Sequence, residues 1–165
     1  MAHEPMGGET LESRLWGMIG ARSLGLLSLT KSGLHAQPVV AFPEARYKRL
    51  WLVAPADCEL VRSIRDDAGS AMFMAQDGEM LASIGGAVRI VNDRRRTERH
   101  WNAVAQAWYP DGPQDSKLVL LRLTCLDAEV SISEVGVTKF AWDISRPYSR
   151  RPTTALGAAA GATLH

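Results

Sequence analysis

The chain predicts an α+β protein, mainly β with flanking helices, in which six short antiparallel strands close into one barrel. Three observations point there. Two pairs of apolar runs are joined by tight turns at Lys31-Ser32-Gly33 and Asp77-Gly78, so neighbouring strands must be antiparallel. About six strand-like segments occur with few helical ones, and a sheet of that size most economically hides its edges by closing. The 165 residues are 46% hydrophobic and 22% charged, the balance of a single globular domain. At this length folding buries about 68–70% of the unfolded chain's surface, enough for a core without staples.

Thr10 predicts a cap for a helix from Leu11 to Ala21, where Leu11, Leu15, Met18 and Ile19 recur at helical spacing. Leu24–Thr30 and Leu34–Phe42 follow as a hairpin, with Gly33 supplying the positive φ of the turn. A polar link then leads to a third strand, Arg49–Ala54. Asp57 is the expected cap of a short helix to Asp66, with Leu60, Val61 and Ile64 inward. Ser70–Gln76 and Met80–Val91 form a second hairpin. The adjacent Gly85 and Gly86 in its long arm predict a bulge, a barrel corner or a close approach.

Asp93 opens a helix expected to run to Tyr109, ended by Pro110-Asp111-Gly112-Pro113. Leu118–Leu123 is the next strand, continued by Ala128–Ile132 after a turn or bulge at Cys125-Leu126-Asp127, and Val137–Ile144 is a weaker one. Residues 1–147 therefore read as one domain and 148–165 as a basic, then Ala/Gly-rich, flexible tail.

The charge balance, 19 basic against 18 acidic residues, supplies no global field toward nucleic acid or anionic lipid. Nothing is apolar for long enough to span a membrane as a helix, and Met1-Ala2-His3-Glu4 lacks an export-signal layout, so a cytoplasmic location is expected. The four histidines, Cys58 and Cys125 show no ligand spacing, and no metal is expected. Hydrolase elbows, dinucleotide fingerprints and Walker loops are missing. Arg94-Arg95-Arg96 with Arg99 and His100 is the dense basic cluster; it reads as a solvated helix face. Trp101 and Trp108, seven apart, read as one stripe covering core or a dimer contact, with Trp108 the candidate to cover a ligand ring.

Four stretches, taken together, resemble the pyridoxamine 5'-phosphate oxidase-like FMN-binding split-barrel family in its bacterial general stress protein branch. They are Leu34-His35-Ala36-Gln37-Pro38-Val39, Leu50-Trp51-Leu52-Val53 before a short helix, Ser83-Ile84-Gly85-Gly86-Ala87, and Trp101 through Trp108-Tyr109-Pro110-Asp111-Gly112-Pro113. The resemblance covers Leu11 to Ile132. It implies a Greek-key split barrel, a homodimer with FMN in two interface clefts, and a flavin-dependent oxidoreductase whose substrate is unidentified. Carried over by position, it places Ala36, Gln37, Pro38 and Val39 against the flavin, Val53 and Ala54 at its polar edge, Cys58 and Arg62 around the phosphate, and Gln76 and Trp108 at the ring.

This chain departs from the family pattern where the phosphate would sit. The resemblance leads one to expect an Arg before the Pro of the second strand, a hydroxyl residue after the third, then a Ser and a Lys at the helix start; here stand Gln37, Ala54, Cys58 and Leu60. A helix start binds anions through free N–H groups. Asp57 and Glu59 oppose this, since a like charge about 5 Å from a phosphate costs roughly 3 kcal/mol at an effective dielectric near 20. A second reading therefore stands beside the first: a degenerate member that keeps the dimeric barrel as a non-catalytic binding or structural module.

Overall fold

The structure, a computed structural model, describes residues 10–66 and 69–143. The expected tail at 148–165 and the end of the last expected strand at Ile144 lie outside them. Helix α1, Leu11–Arg22, starts where Thr10 accepts a hydrogen bond from the Ser13 N–H at 3.0 Å and ends at Ser23, which takes the left-handed conformation. Strands β1 (Leu24–Leu29), β2 (Gln37–Glu44) and β3 (Arg49–Pro55) follow, and α2 spans Glu59–Asp66. Then come β4 (Ser70–Asp77), β5 (Met80–Ile90), α3 (Arg94–His100), α4 (Ala103–Trp108), β6 (Leu118–Ile132) and β7 (Gly136–Ala141).

Every strand pair is antiparallel, and the neighbours run β3-β2-β1-β4-β5-β6 before β6 pairs back with β3. Six strands therefore close on themselves. The seventh, β7, adds to the far half of β6 beyond the closure. The β3-to-β4 connection through α2 carries the chain across to the strand beside β1, which makes the topology a Greek key.

The two-residue period sorts side chains by face. Val39, Ala41, Leu50, Leu52, Ala54, Phe73, Ile84, Leu121 and Leu123 fill the interior, joined by Leu15 and Ile19 of α1 and Leu60, Val61 and Ile64 of α2. Val40, Phe42, Trp51, Val53 and Leu120 point outward, where Ala105, Trp101 and Tyr109 cover them. One wall of the barrel thus has a second, smaller core on its outside.

The glycine pair is a bulge. Register shifts between Gly85 and Gly86, which face Asp127 and Cys125 and leave Leu126 as the extra residue. A Cβ on Gly86 would lie 2.0 Å from the Thr124 carbonyl oxygen, so only glycine permits the approach. The bulge lets the single long β6 serve both the closure with β3 and the pairing with β7.

Three local expectations are corrected. The second hairpin turns on Gly78-Glu79, because Asp77 already pairs with Met80. The first i→i+4 bond of α2 runs from Arg62 N–H to the Cys58 carbonyl, so Cys58 rather than Asp57 holds the cap position. The helix expected from Asp93 to Tyr109 is two helices. Trp101 leaves helical geometry at ψ 134°, and Asn102 caps α4 by accepting from Ala105 N–H at 2.9 Å while donating to Ser23 Oγ at 2.9 Å.

Candidate functional site

The break between α3 and α4 separates the two tryptophans. Trp101 packs on the outer-face cluster and donates its indole N–H to Gln106 Oε1 at 2.8 Å. Trp108, at the end of α4, stands 46% exposed over the barrel wall. No common stripe joins them.

Beneath Trp108 lies an open groove of about 510 Å³ on the outside of β1, β2, β4, β5 and β6. Its floor follows from strand alternation: Leu24, Leu26, Pro38 and Met74 point out of the wall, with Leu81 beyond. Leu26 is 44% and Leu81 50% exposed, so with Trp108 they form an exposed apolar patch. Polar groups stand around it. Gln76 donates to the Gly78 carbonyl at 3.3 Å, Glu129 lies 3.7 Å from Lys139, and Ser83 and Ser131 complete the lining.

Of the residues expected at a ligand, Pro38, Gln76 and Trp108 meet at this groove. Ala36 and Gln37 stand at the start of β2, half-buried, with the Gln37 amide donating to the His35 carbonyl at 3.3 Å. Val39 and Ala54 send their side chains into the barrel, so only their backbones face a ligand. Val53 points outward but is fully buried under the covering helices, at the base of a separate polar cavity of about 470 Å³ with Asn92, Asp93, Arg94 and Thr97.

Cys58 and Arg62 line neither cavity. Cys58 is half-buried, and Arg62 Nη1 donates back to the Asp57 carbonyl. Asp57 and Glu59 are both exposed at this helix start, whereas Leu60 is buried in the interior. Burial, with a smaller contribution from the nearby Cys58 thiol, holds the Tyr109 phenol above its ordinary pKa. The groove residues not expected from the sequence are Leu24, Gly25, Leu26, Met74, Ala75, Leu81, Ala82, Ser83, Glu129 and Ser131. Leu24, Leu26, Met74 and Leu81 share a signal, a large apolar side chain at an outward strand position; the others carry none.

A flat, largely apolar ring fits such a groove: its floor and the Trp108 lid are apolar, and the polar groups lie at the rim. A phosphate finds less. Among the described residues no Lys or Arg lines the groove, and the start of α2 offers Arg62 beside two carboxylates. Among the described residues no three His, Cys, Asp or Glu side chains are placed to hold a metal, and no helix is long and apolar enough to cross a membrane.

A family model described as pyridoxamine 5'-phosphate oxidase like matches residues 11–149. No curated protein matches the chain significantly. Among solved structures, a general stress FMN/FAD binding protein from Xanthomonas citri is 24% identical, with 74% of this chain and 88% of that one covered at a TM-score of 0.61. A Clostridium acetobutylicum protein related to general stress protein 26 is 15% identical, covering 83% and 96% at a TM-score of 0.65. General stress protein 26 from Bacillus anthracis is 17% identical, covering 73% and 92% at 0.60.

Proposed function

Since the chain belongs to the pyridoxamine 5'-phosphate oxidase-like family, we propose that it is a flavin-binding split-barrel protein of the general stress branch, an FMN-dependent oxidoreductase that works as a homodimer in the cytoplasm. The observation that carries this reading is the apolar groove under Trp108, whose exposed Leu26 and Leu81 suit both a planar ring and the wall of a second copy. When bound, the flavin supplies the redox chemistry; the protein supplies position and electrostatics.

In this reading Pro38 and Leu26 would pack against a bound ring, Trp108 would exclude water from its side, and a second copy would close the remainder. Gln76 uses one N–H on Gly78, which leaves its carbonyl oxygen to accept from a ring N–H. Ser83 and Ser131 have hydroxyls for the ring's polar edge. A phosphate at the start of α2 would be held by Arg62 and the helix start, with the exposed Asp57 and Glu59 weakening the hold.

The degenerate reading is favoured by a specific placement: Leu60, where a lysine was expected from relatives, is sealed in the core. One set of measurements separates the two. The visible spectrum of the purified protein is recorded, FMN, FAD and riboflavin are titrated in, and light scattering gives the mass. A dimer that binds FMN more tightly than riboflavin supports the flavoprotein; a dimer that binds no flavin supports the module; a monomer at micromolar concentration removes the shared cleft from both.

A further inference from the structure

We propose that the outer barrel face around Trp51 is a second binding site, for a compact polyvalent phosphate of the diphosphate class, held by Arg49, Arg89, Arg96 and Arg122. Closure of the barrel builds this face. Register sets Phe42 beside Trp51, Trp51 beside Arg122, and Arg122 beside Arg89, a row that crosses β2, β3, β6 and β5. The next outward position on β3 is Arg49. From above, α3 lowers Arg96 onto the Trp51 ring, 4.2 Å from its centroid.

Like charges directly opposite in a sheet repel. Arg89 and Arg122 are such a pair, and among the described residues no carboxylate lies within ion-pair distance of either. Glu44 is shared, 3.7 Å from Arg49 and 3.9 Å from Arg96, and also accepts from the Trp51 indole at 3.0 Å. Asp93 stands 3.7 Å from Arg96 Nε, near enough for attraction but too far for a hydrogen bond. Four guanidinium groups thus meet two carboxylates.

A second observation singles out the same place. The buried side-chain nitrogens without a hydrogen-bond partner, among the described residues, are Arg96 Nε, Arg122 Nε and His100 Nε2. All three belong to this face, His100 through its stacking on Phe42. The two arginine Nε–H groups are unmet buried donors, which are costly, and an oxyanion is the group that would satisfy them and cancel the repulsion together. Burial and the three neighbouring arginines also lower the Arg122 pKa, in line with an uncompensated cationic field.

The spacing favours more than one phosphoryl group. Arg49 and Arg89 stand on strands two places apart, about 10 Å, so a diphosphate reaches guanidiniums from both sides where a single phosphate reaches one. The site is distinct from the flavin groove and from the start of α2: Arg49 and Ala54 are at opposite ends of β3, roughly 16 Å apart.

The test uses the full-length protein without flavin. Pyrophosphate, ADP and, as an ionic-strength control, sulfate are titrated calorimetrically and in thermal unfolding. Saturable pyrophosphate binding at least tenfold tighter than sulfate is expected. ADP binding equal to pyrophosphate assigns the anion alone, and tighter ADP binding with the same arginine dependence assigns a nucleotide; both support the site. In Arg89→Gln/Arg122→Gln the affinity should fall at least tenfold while the unliganded Tm holds or rises, which arginines that merely stabilise the fold would not produce. Should the double variant fail to fold, exposed Arg89→Gln alone carries the comparison. Pyrophosphate binding no tighter than sulfate, or unchanged by either variant, overturns the proposal without touching the flavin reading.

Discussion

Trp142 donates its indole N–H to Glu12 Oε2 at 3.0 Å, joining residues 130 positions apart. The same oxygen accepts from Trp16 Nε1 at 3.1 Å and from Lys48 Nζ at 2.8 Å, while the two indoles pack 5.5 Å apart. One carboxylate therefore ties α1, the β2-to-β3 link and the segment after β7 to the barrel. Glu12→Ala strands an ammonium and two indole donors in a mostly buried setting, and should destabilise by about 3 kcal/mol. For a chain of this size that lowers Tm by roughly 6–12 °C. A loss below about 1 kcal/mol in thermal or urea unfolding would show that the cluster holds nothing together.

The bulge gives a second, sharper test. In Gly86→Ala the new methyl meets the Thr124 carbonyl, a backbone atom with nowhere to go, so a loss of at least about 3 kcal/mol is expected. Gly33→Ala provides the contrast. Its φ of 76° is the strain, and no neighbour lies within reach, so the cost should stay near 1–2 kcal/mol. Equal losses in the two variants would mean that close approach at the bulge is unimportant.

What could be read in the chain depended on range. The hairpin arm Ser70–Gln76, the cap at Thr10 and the glycine pair are local signals, and each led to the element observed. Asn102 is different: its amide bridges to Ser23, 79 residues away, and no helical period contains that bond. Arg49, Arg89 and Arg122 sit in three separate strands and become neighbours only when β6 closes on β3. Arg96 reads in sequence as part of a solvated face, yet its guanidinium lies on Trp51 of β3. The groove was legible in part, since Pro38, Gln76 and Trp108 were expected at a ring, while Leu26 and Leu81 join them only through pairing of strands distant in sequence.

Burial decides which changes at the start of α2 could strengthen phosphate binding. Leu60→Lys forces an ammonium into the space of a core side chain and should cost about 3 kcal/mol of stability. Asp57→Asn with Glu59→Gln changes only exposed groups, and removes the two charges that repel a phosphate there. FMN should bind about tenfold more tightly to that double variant at low salt, less so at high salt, with riboflavin unchanged. Equal gains for FMN and riboflavin in a flavin titration would place the phosphate elsewhere.

His100 is expected to weaken the outer-face core in acid. Burial first, then the charge of Arg96, holds its pKa below the ordinary value of 6.5, although Glu44 pulls the other way. As pH falls through about 6.5 the unfolded imidazole takes up a proton that the folded one resists. The unfolded state then binds more protons, so stability drops as pH falls, with a slope of at most about 1.4 kcal/mol per pH unit from this residue. His100→Phe keeps the stacking on Phe42 and removes the titration. Urea unfolding at pH 7.5 and 5.5 should show a smaller loss in the variant than in the parent, because carboxylates titrate alike in both. An identical loss would assign the acid sensitivity to those carboxylates and leave the packed imidazole without a role in it.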